Sequence, residues 1–421
     1  MKKQQGVYVV KKIIFIVNYL TLDEEGGNSR FLYLAKKMLK KYDDLEIEII
    51  TSNFLHSKKT FRYDKEKNIT IEDKNLKITF LSTIGYEQNI SLKRILSNKV
   101  FARSVFRYLK KMKDKDELPN LIYFSVPSLE YGAEIIDFSK QNNIFTIADI
   151  QDIWPEAFEM VSPFPEMVNK VLFFNSRRLS KKIYSQVDYT VAVSNTYGKI
   201  VDKYRKMNSH TKVVYLGSDF RKFDKYFNKK NETNDVIRFT YVGTLGHSYD
   251  LNHVLDAFSI VKNLKKKIEL HIFGDGPLKE SLEKKTKELE IEDIVTFYGR
   301  LPYLELVNKL GEMDVAINPI RDGAAQSIIN KVGDYAAAGL PVINTQENLE
   351  YRNLVDSWHI GINTFNNTDG LKNAIIEIIG KSKSELKLMG ENNRLLGESL
   401  FDRRITYDDL AKMIRKVVDM S

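Results

Sequence analysis

The sequence predicts an α/β protein made of two doubly wound domains, each with a parallel sheet. Short apolar runs of strand length alternate with stretches of helical spacing along the whole chain. The opening unit of such a domain, strand then glycine turn then helix, occurs twice, once over 13–39 and again over 239–258. A polar run over 228–235 separates the two series. At 421 residues, 43% of them hydrophobic and 29% charged, the chain is long enough for two separate cores. The organisation this implies is 1–218, 219–398 and a C-terminal helical segment, 399–421.

Composition removes several classes of function. With no cysteine there is no disulfide scaffold, zinc-thiolate site or cysteine nucleophile, which fits a reducing cytoplasm. The apolar run 13–17 is too short for a signal segment or a bilayer span, so the chain is expected not to be integral to a membrane. Charge is unevenly placed: residues 1–220 hold 36 basic against 26 acidic side chains, and residues 221–421 hold 29 against 30. All the net charge of +9 therefore belongs to the first half, which points to an anionic partner there, an acidic membrane surface or a nucleic acid.

The first ten residues show no pattern. Residues 13–17 read as a buried strand, followed by a loop with Gly26 and Gly27 and a helix with Phe31, Leu34, Ala35, Met38 and Leu39 at helical spacing. Glycines in that loop let backbone N–H groups approach a phosphate, although two glycines alone are more often only a turn. Further strands are expected at 47–51, 78–81, 121–125, 144–148 and 189–193. Between two of them lie Lys93, Arg94, Lys99, Arg103, Arg107, Lys110, Lys111 and Lys113, with no acidic residue among them. As a helix this segment divides into an apolar side, Phe101, Val105, Tyr108, Leu109 and Met112, and a basic side with Arg103, Arg107 and Lys110. It either lies on an anionic membrane or is a solvated face on a helix whose apolar side is core. Ala148-Asp-Ile-Gln-Asp-Ile-Trp-Pro-Glu-Ala157 follows a strand, which puts its polar residues at the edge of the sheet where α/β ligands bind.

In the second series, Phe239-Thr-Tyr-Val-Gly-Thr-Leu-Gly246 is strand into glycine turn, and Leu251, Val254, Leu255 and Phe258 line the helix that follows. Strand 268–273 runs into Gly274-Asp-Gly-Pro277, strand 294–298 into Gly299 and Arg300, and strand 314–317 into a loop. Then comes Asp322-Gly-Ala-Ala-Gln-Ser-Ile-Ile-Asn-Lys-Val-Gly-Asp-Tyr-Ala-Ala-Ala-Gly-Leu-Pro-Val-Ile-Asn344, which reads as loop, helix, stop, strand. Ser327 suits an N-cap, Gly339 a left-handed C-terminal position, and Pro341 stops the helix, giving about three turns. Lys331 and Asp334, three residues apart, are expected to share a face, an arrangement that suits a phosphate beside a diol. The alternative is a packed helix carrying two solvated charges.

Asn330-Lys-Val-Gly-Asp-Tyr-Ala-Ala-Ala-Gly-Leu-Pro-Val342 resembles the donor-binding segment of the retaining glycosyltransferases of family 4. It is closest to the bacterial branch that builds lipid-linked surface polysaccharides, in which a Ser-Lys or Asn-Lys pair precedes an acidic residue, a Tyr, a short Ala run, Gly and Pro-Val. Asp152, Trp154, Pro155 and Glu156 are similar to that branch's Asp-Leu-Trp-Pro-Glu string. Tyr215-Leu-Gly-Ser-Asp-Phe220 looks like the family's Asn-Gly-Val-Asp linker, with Leu216 at the Asn. The resemblance covers nearly the whole chain and is most specific over 243–343.

The resemblance implies a GT-B architecture, two Rossmann-like domains with parallel sheets facing a cleft, the helix in 399–421 crossing back to the first domain. It implies a retaining glycosyltransferase that moves a sugar from a nucleotide-diphosphate sugar, with UDP the expected nucleotide, to a lipid-linked or glycan acceptor in capsule or O-antigen-type synthesis. No cofactor or metal is expected. By the same resemblance the base lies near Gly299 and Arg300, the ribose on Asp334, and the phosphates near Gly26, Gly27, Gly246 and Lys331, with Gly243, Gln326 and Ser327 lining the donor site. Lys331 and Asp152 are the catalytic candidates, and Trp154 and Glu156 stand on the acceptor side. Three features depart from the family pattern: Gln326 at the first of two paired Glu positions, Gln151 near a His position, and the missing Arg and Lys after Gly243. They keep open a non-catalytic partner subunit, and the architecture keeps open a nucleotide-sugar 2-epimerase. Arg103, Arg107, Lys110 and Lys111 are expected to meet an anionic membrane at its cytoplasmic side. Nucleic acid is not expected, since no recognised module or stacking platform accompanies the charge; a homo-oligomer stays open.

Overall fold

The computed structural model describes residues 10–25, 29–63, 67–70, 75–88, 91–156, 162, 164–205, 210–229, 236–324 and 327–421. The chain divides into two compact units, Met1–Val214 with Tyr407–Ser421, and Tyr215–Thr406. The calls on Gly26, Gly27 and Gln326 fall outside the described residues.

Unit 1 contains β1 (Lys11–Ile16), β2 (Leu45–Ser52), β3 (Phe54–Leu55), β4 (Thr60–Phe61), β5 (Lys67–Thr70), β6 (Leu76–Leu81), β7 (Leu121–Val126), β8 (Phe145–Ile150), β9 (Tyr189–Ala192) and β10 (Lys212–Val213). Its main sheet has the order β10-β9-β8-β7-β1-β2-β6-β5, parallel throughout except for β5, which runs antiparallel along β6. β3 and β4 form a separate small hairpin. The central strands are buried on both sides, which is why β1 and β7 read as unbroken apolar runs.

One element of this unit comes from far along the chain. The Arg403–Asp419 helix contributes Tyr407, Leu410, Ala411, Ile414, Val417 and Val418 to the same core as β1, β2 and the Arg30–Lys41 helix. Beside it Arg30 is fully enclosed. Its Nε donates to Asp149 at 2.8 Å, its guanidinium donates to the Val214 carbonyl and the Tyr407 hydroxyl, and Tyr123 donates to the same Asp149 oxygen at 2.6 Å. The ion pair raises the Arg30 pKa despite burial, so the group stays charged.

Unit 2 contains β11 (Ile237–Val242), β12 (Ile268–Phe273), β13 (Val295–Gly299), β14 (Val315–Asn318), β15 (Val342–Asn344) and β16 (Gly361–Asn363), all parallel in the order β13-β12-β11-β14-β15-β16. This is the strand order of a dinucleotide-binding fold, and its direction reverses between β11 and β14. Ligands of such sheets bind beyond the carboxyl ends of the strands at that reversal. Among the described residues no helix is long and apolar enough to cross a membrane.

The basic helix is Leu92–Asp114, capped by Ser91. Phe101, Val105, Leu109 and Met112 are buried in unit 1, while Arg103, Arg107, Lys110 and Lys111 are exposed. Tyr108 departs from the expected apolar side: it is half-buried and donates to Glu48 at 2.5 Å. The apolar side from Phe101 to Met112 is core and is not available to enter a bilayer, while at the start of the helix Leu92, Ile95 and Leu96 are exposed.

Candidate functional site

In unit 2 the loops leaving β11, β12 and β13 are laced together. Gly243 N donates to Phe273 O, Leu245 N to Asp275 O, Leu278 N to Leu245 O and Gly274 N to Gly299 O, all between 2.8 and 3.0 Å. The packing is close enough to require glycine: at Gly274, with φ of +154°, an added Cβ would lie 1.7 Å from the Gly243 carbonyl oxygen. Arg300 follows β13 and is exposed. On the other side of the reversal, Asp250 N donates to Pro319 O and Arg321 N to Ser248 O, which fixes the loop of Gly246 and His247 beside the one leaving β14.

The stretch 322–344 differs from expectation at its start. The helix is Asn330–Ala337, about two turns, with Ile329 as the N-cap residue and no side-chain cap. Ser327 is not the cap. Gln346 donates to the Ser327 carbonyl at 2.6 Å and holds the chain extended there, and the buried Ser327 hydroxyl has no hydrogen-bond partner among the described residues. The helix ends as the sequence predicts, at Gly339 with φ of +61°. Tyr335 fastens it to the sheet by accepting from Val242 N at 2.9 Å.

Lys331 and Asp334 do not behave as a pair on one face, nor as two solvated charges. Lys331 is 7% exposed, and its Nζ lies 4.1 Å from the Tyr241 ring centroid and 3.7 Å from that of Tyr249. A Cβ on Gly243 would come within 2.8 Å of that nitrogen, so the glycine turn and the lysine meet. Nζ has no hydrogen-bond partner among the described residues, and burial depresses its pKa well below the usual lysine range. An ammonium suits the two ring faces but still lacks acceptors for its protons.

Asp334 points elsewhere. Its Oδ1 accepts from Ser218 at 2.6 Å and from Tyr303 at 2.9 Å, while Oδ2 takes no hydrogen bond among the described residues. Burial raises its pKa; the two hydroxyls and the charge of Arg403 oppose the shift. Arg403 is itself held by the Leu216 carbonyl at 2.8 Å. Ser218, Tyr303 and Arg403 were missed from the sequence, although Ser218 lies inside the linker string already singled out. Also missed was an asparagine ladder across the strand ends, Asn318 donating to Asn344 and Asn344 to Asn363, each at 2.8 Å.

In unit 1 the string after β8 forms a tight turn. Asp152 Oδ1 accepts from Ile153 N at 2.9 Å and from Tyr197 at 3.3 Å, and Oδ2 accepts from the Trp154 indole at 3.3 Å. Burial raises the Asp152 pKa against these hydrogen bonds and the Arg94 charge. The Arg94 guanidinium lies 5.4 Å from the Trp154 ring and equally far from the Tyr19 ring, and Tyr19 donates to Asn98 at 2.8 Å. Glu156 lies near Tyr184, whose pKa burial and the Glu156 charge raise. The His56 ring lies tilted against Tyr19, centroids 4.7 Å apart, with Lys59 at 3.2 Å from its Nδ1; burial, then the Lys59 and Arg94 charges, push this imidazole down to about 4.

Residues 222–395 match the family described as Glycosyl transferases group 1. The chain is 20% identical over 258 residues to the uncharacterized glycosyltransferase MJ1069 of Methanocaldococcus jannaschii, a match that covers 60% of this chain and 65% of that one. It therefore spans a little under two thirds of that relative's length. Among solved structures, sucrose-phosphate synthase from Thermosynechococcus elongatus superposes with a TM-score of 0.70 at 14% identity, over 98% of this chain and 100% of that one. Anabaena Alr3699/HepE in complex with UDP gives 0.66 at 15% identity, over 96% and 100%; the same protein has also been solved with UDP-glucose. Residues 222–395 are thus similar to the glycosyl transferases group 1 family, and the chain's two units have the parallel α/β fold of the GT-B glycosyltransferases.

Proposed function

We propose that the protein is a retaining glycosyltransferase that moves a sugar from a nucleotide-diphosphate sugar to a lipid-linked or glycan acceptor in bacterial surface-polysaccharide synthesis. The observation that carries this reading is Lys331: a buried amine with no hydrogen-bond acceptor among the described residues, set against Gly243 where the strand order reverses. A diphosphate supplies the acceptors the ammonium lacks, and the backbone N–H groups of Gly246 and His247 add to the same charge. Asp334 Oδ2 suits a ribose hydroxyl, Oδ1 being fixed by Ser218 and Tyr303. The complexes of Anabaena Alr3699/HepE favour UDP as the nucleotide.

In the reaction the bond from the sugar's C1 to the diphosphate oxygen breaks while the acceptor oxygen bonds to C1 on the same face. The acceptor's proton passes to the departing diphosphate, and the charge left there is held by Lys331. Asp152, with its raised pKa, positions the acceptor hydroxyl, and Trp154 and Glu156 shape its surroundings. Exposed Arg103, Arg107, Lys110 and Lys111 draw the protein to an anionic membrane carrying a lipid-linked acceptor. The test is release of nucleotide from a panel of UDP and GDP sugars with and without a lipid-linked acceptor. Acceptor-dependent release from one donor supports the proposal; a chain that binds no nucleotide sugar refutes it.

A further inference from the structure

Away from both sites, unit 1 carries an apolar surface that is exposed among the described residues. The Glu166–Leu172 helix is turned inside out relative to an ordinary surface helix. Its one buried side chain is polar: Asn169 accepts from Ser162 at 2.7 Å and donates to the Phe164 carbonyl at 3.1 Å. Its apolar side chains face outward. Met167 is 80% exposed, Val171 79% and Phe174, just beyond the helix, 68%, and Phe164, Val168 and Leu172 are about half exposed. Six large apolar side chains within eleven residues are open to solvent, more than scattered surface hydrophobics account for.

The charge around this patch says what covers it. From residue 164 to 182 there are five basic residues, Lys170, Arg177, Arg178, Lys181 and Lys182, against the single acid Glu166, which is paired with Lys170 at 2.7 Å. Lys182 of the following helix (Phe174–Gln186) is paired with Asp137 at 2.5 Å, in a groove where Lys99 and Arg103 of the basic helix face Glu130 and Glu134, so the positive rim of the patch is carried by Arg177, Arg178 and Lys181. An apolar patch rimmed by cations fits the boundary of an anionic bilayer, with acyl chains beneath and phosphates around. A second copy of the chain fits poorly, because a two-fold contact would set these cations against themselves.

We infer that residues 164–174 are a membrane-insertion element, seated in the acyl-chain boundary of an anionic bilayer by Met167, Val171 and Phe174 and held there by the adjacent basic residues. The inference deepens the proposed function, naming the surface in which a lipid-linked acceptor would be met. The basic helix attracts through the charges of its later turns and exposes Leu92, Ile95 and Leu96 only at its start, whereas the 164–174 segment supplies the denser apolar contact.

The experiment uses the full chain with vesicles of phosphatidylcholine, with and without phosphatidylglycerol. Met167→Glu combined with Val171→Glu should lower the partition onto anionic vesicles at least tenfold while leaving the melting temperature and nucleotide binding unchanged, since both side chains already face solvent. In parallel, Val171→Trp should shift its emission to the blue on anionic vesicles and be quenched by brominated acyl chains. Wild-type partition of the double Glu variant, or a Trp that keeps its aqueous emission, overturns the inference. So does a lipid-free dimer that the double variant dissociates. None of these readings requires sugar transfer, so a protein that inserts but transfers nothing would refute the proposed activity and leave the insertion element standing.

Discussion

A single lysine concentrates the chemistry of unit 2. Lys331 is shut away without acceptors among the described residues, and its depressed pKa means that, between that value and the usual lysine range, the unfolded chain binds a proton the folded one does not. Stability therefore rises with pH across that window. A bound diphosphate reverses the shift, so nucleotide binding should take up a proton and weaken as pH rises through the same window. Calorimetry in buffers of different ionisation heat counts that proton. Lys331→Ala should abolish the uptake and cost about 1.5 to 3 kcal/mol of nucleotide-sugar affinity, the scale of a charge-assisted hydrogen bond. Unchanged affinity in a folded variant would remove Lys331 from the donor site. Asp152 is a different case, because all three of its recorded hydrogen bonds come from its own turn and Tyr197. If it also positions the acceptor, Asp152→Asn should keep donor affinity and lower kcat by about a hundredfold. Activity within a few-fold of wild type, with a lowered melting temperature, would make it a brace for the turn and nothing more.

At the scale of elements, the strands were legible because buried parallel strands are unbroken apolar runs; β12 coincides with its expected 268–273 span. What stayed hidden was set by partners distant in sequence. Nothing local shows that the helix starts only at Asn330 with Ile329 at its N-cap, too far along for the Ser327 hydroxyl to cap it, or that the Ser327 carbonyl is held by Gln346, nineteen residues later. Nothing in the spacing of Lys331 and Asp334 shows that aromatic rings draw one away and hydroxyls the other. β16 escaped notice because three half-buried residues are too few for a period. The basic helix was half legible: its division into two sides was visible, but whether the apolar side met lipid or core depended on neighbours. Since Phe101, Val105, Leu109 and Met112 are core, the turns that carry these cations act through charge, and replacing Arg103, Arg107, Lys110 and Lys111 by Glu should reduce binding to anionic vesicles, by about 1 kcal/mol per removed cation at low salt. The difference should shrink as salt rises. Equal binding of the variant at low salt would confine the helix to a structural role.

At the scale of the molecule, unit 1 is closed by a segment that unit 2 separates from it. Tyr407, Leu410, Ala411, Ile414, Val417 and Val418 are almost wholly buried in the core of unit 1, and Tyr407 also receives a hydrogen bond from Arg30. At about 1.5 to 3 kcal/mol for each large apolar side chain, their removal costs on the order of 10 kcal/mol, comparable with the whole stability of a domain. A chain ending at Thr406 should therefore lose hydrogen-exchange protection throughout β1, β2 and β7 and keep it in β11, β12 and β14. Protection retained in both units would show that the final helix is an ornament.

The same discontinuity bears on how the chain is made. A ribosome releases β1 early, yet the residues that fill the groove beside it emerge only after all of residues 215–406 have been synthesised. The unit that starts first is thus finished second. During translation the second unit, one unbroken stretch, is free to fold while the first waits with part of its apolar interior uncovered, the condition in which a nascent chain depends most on chaperones.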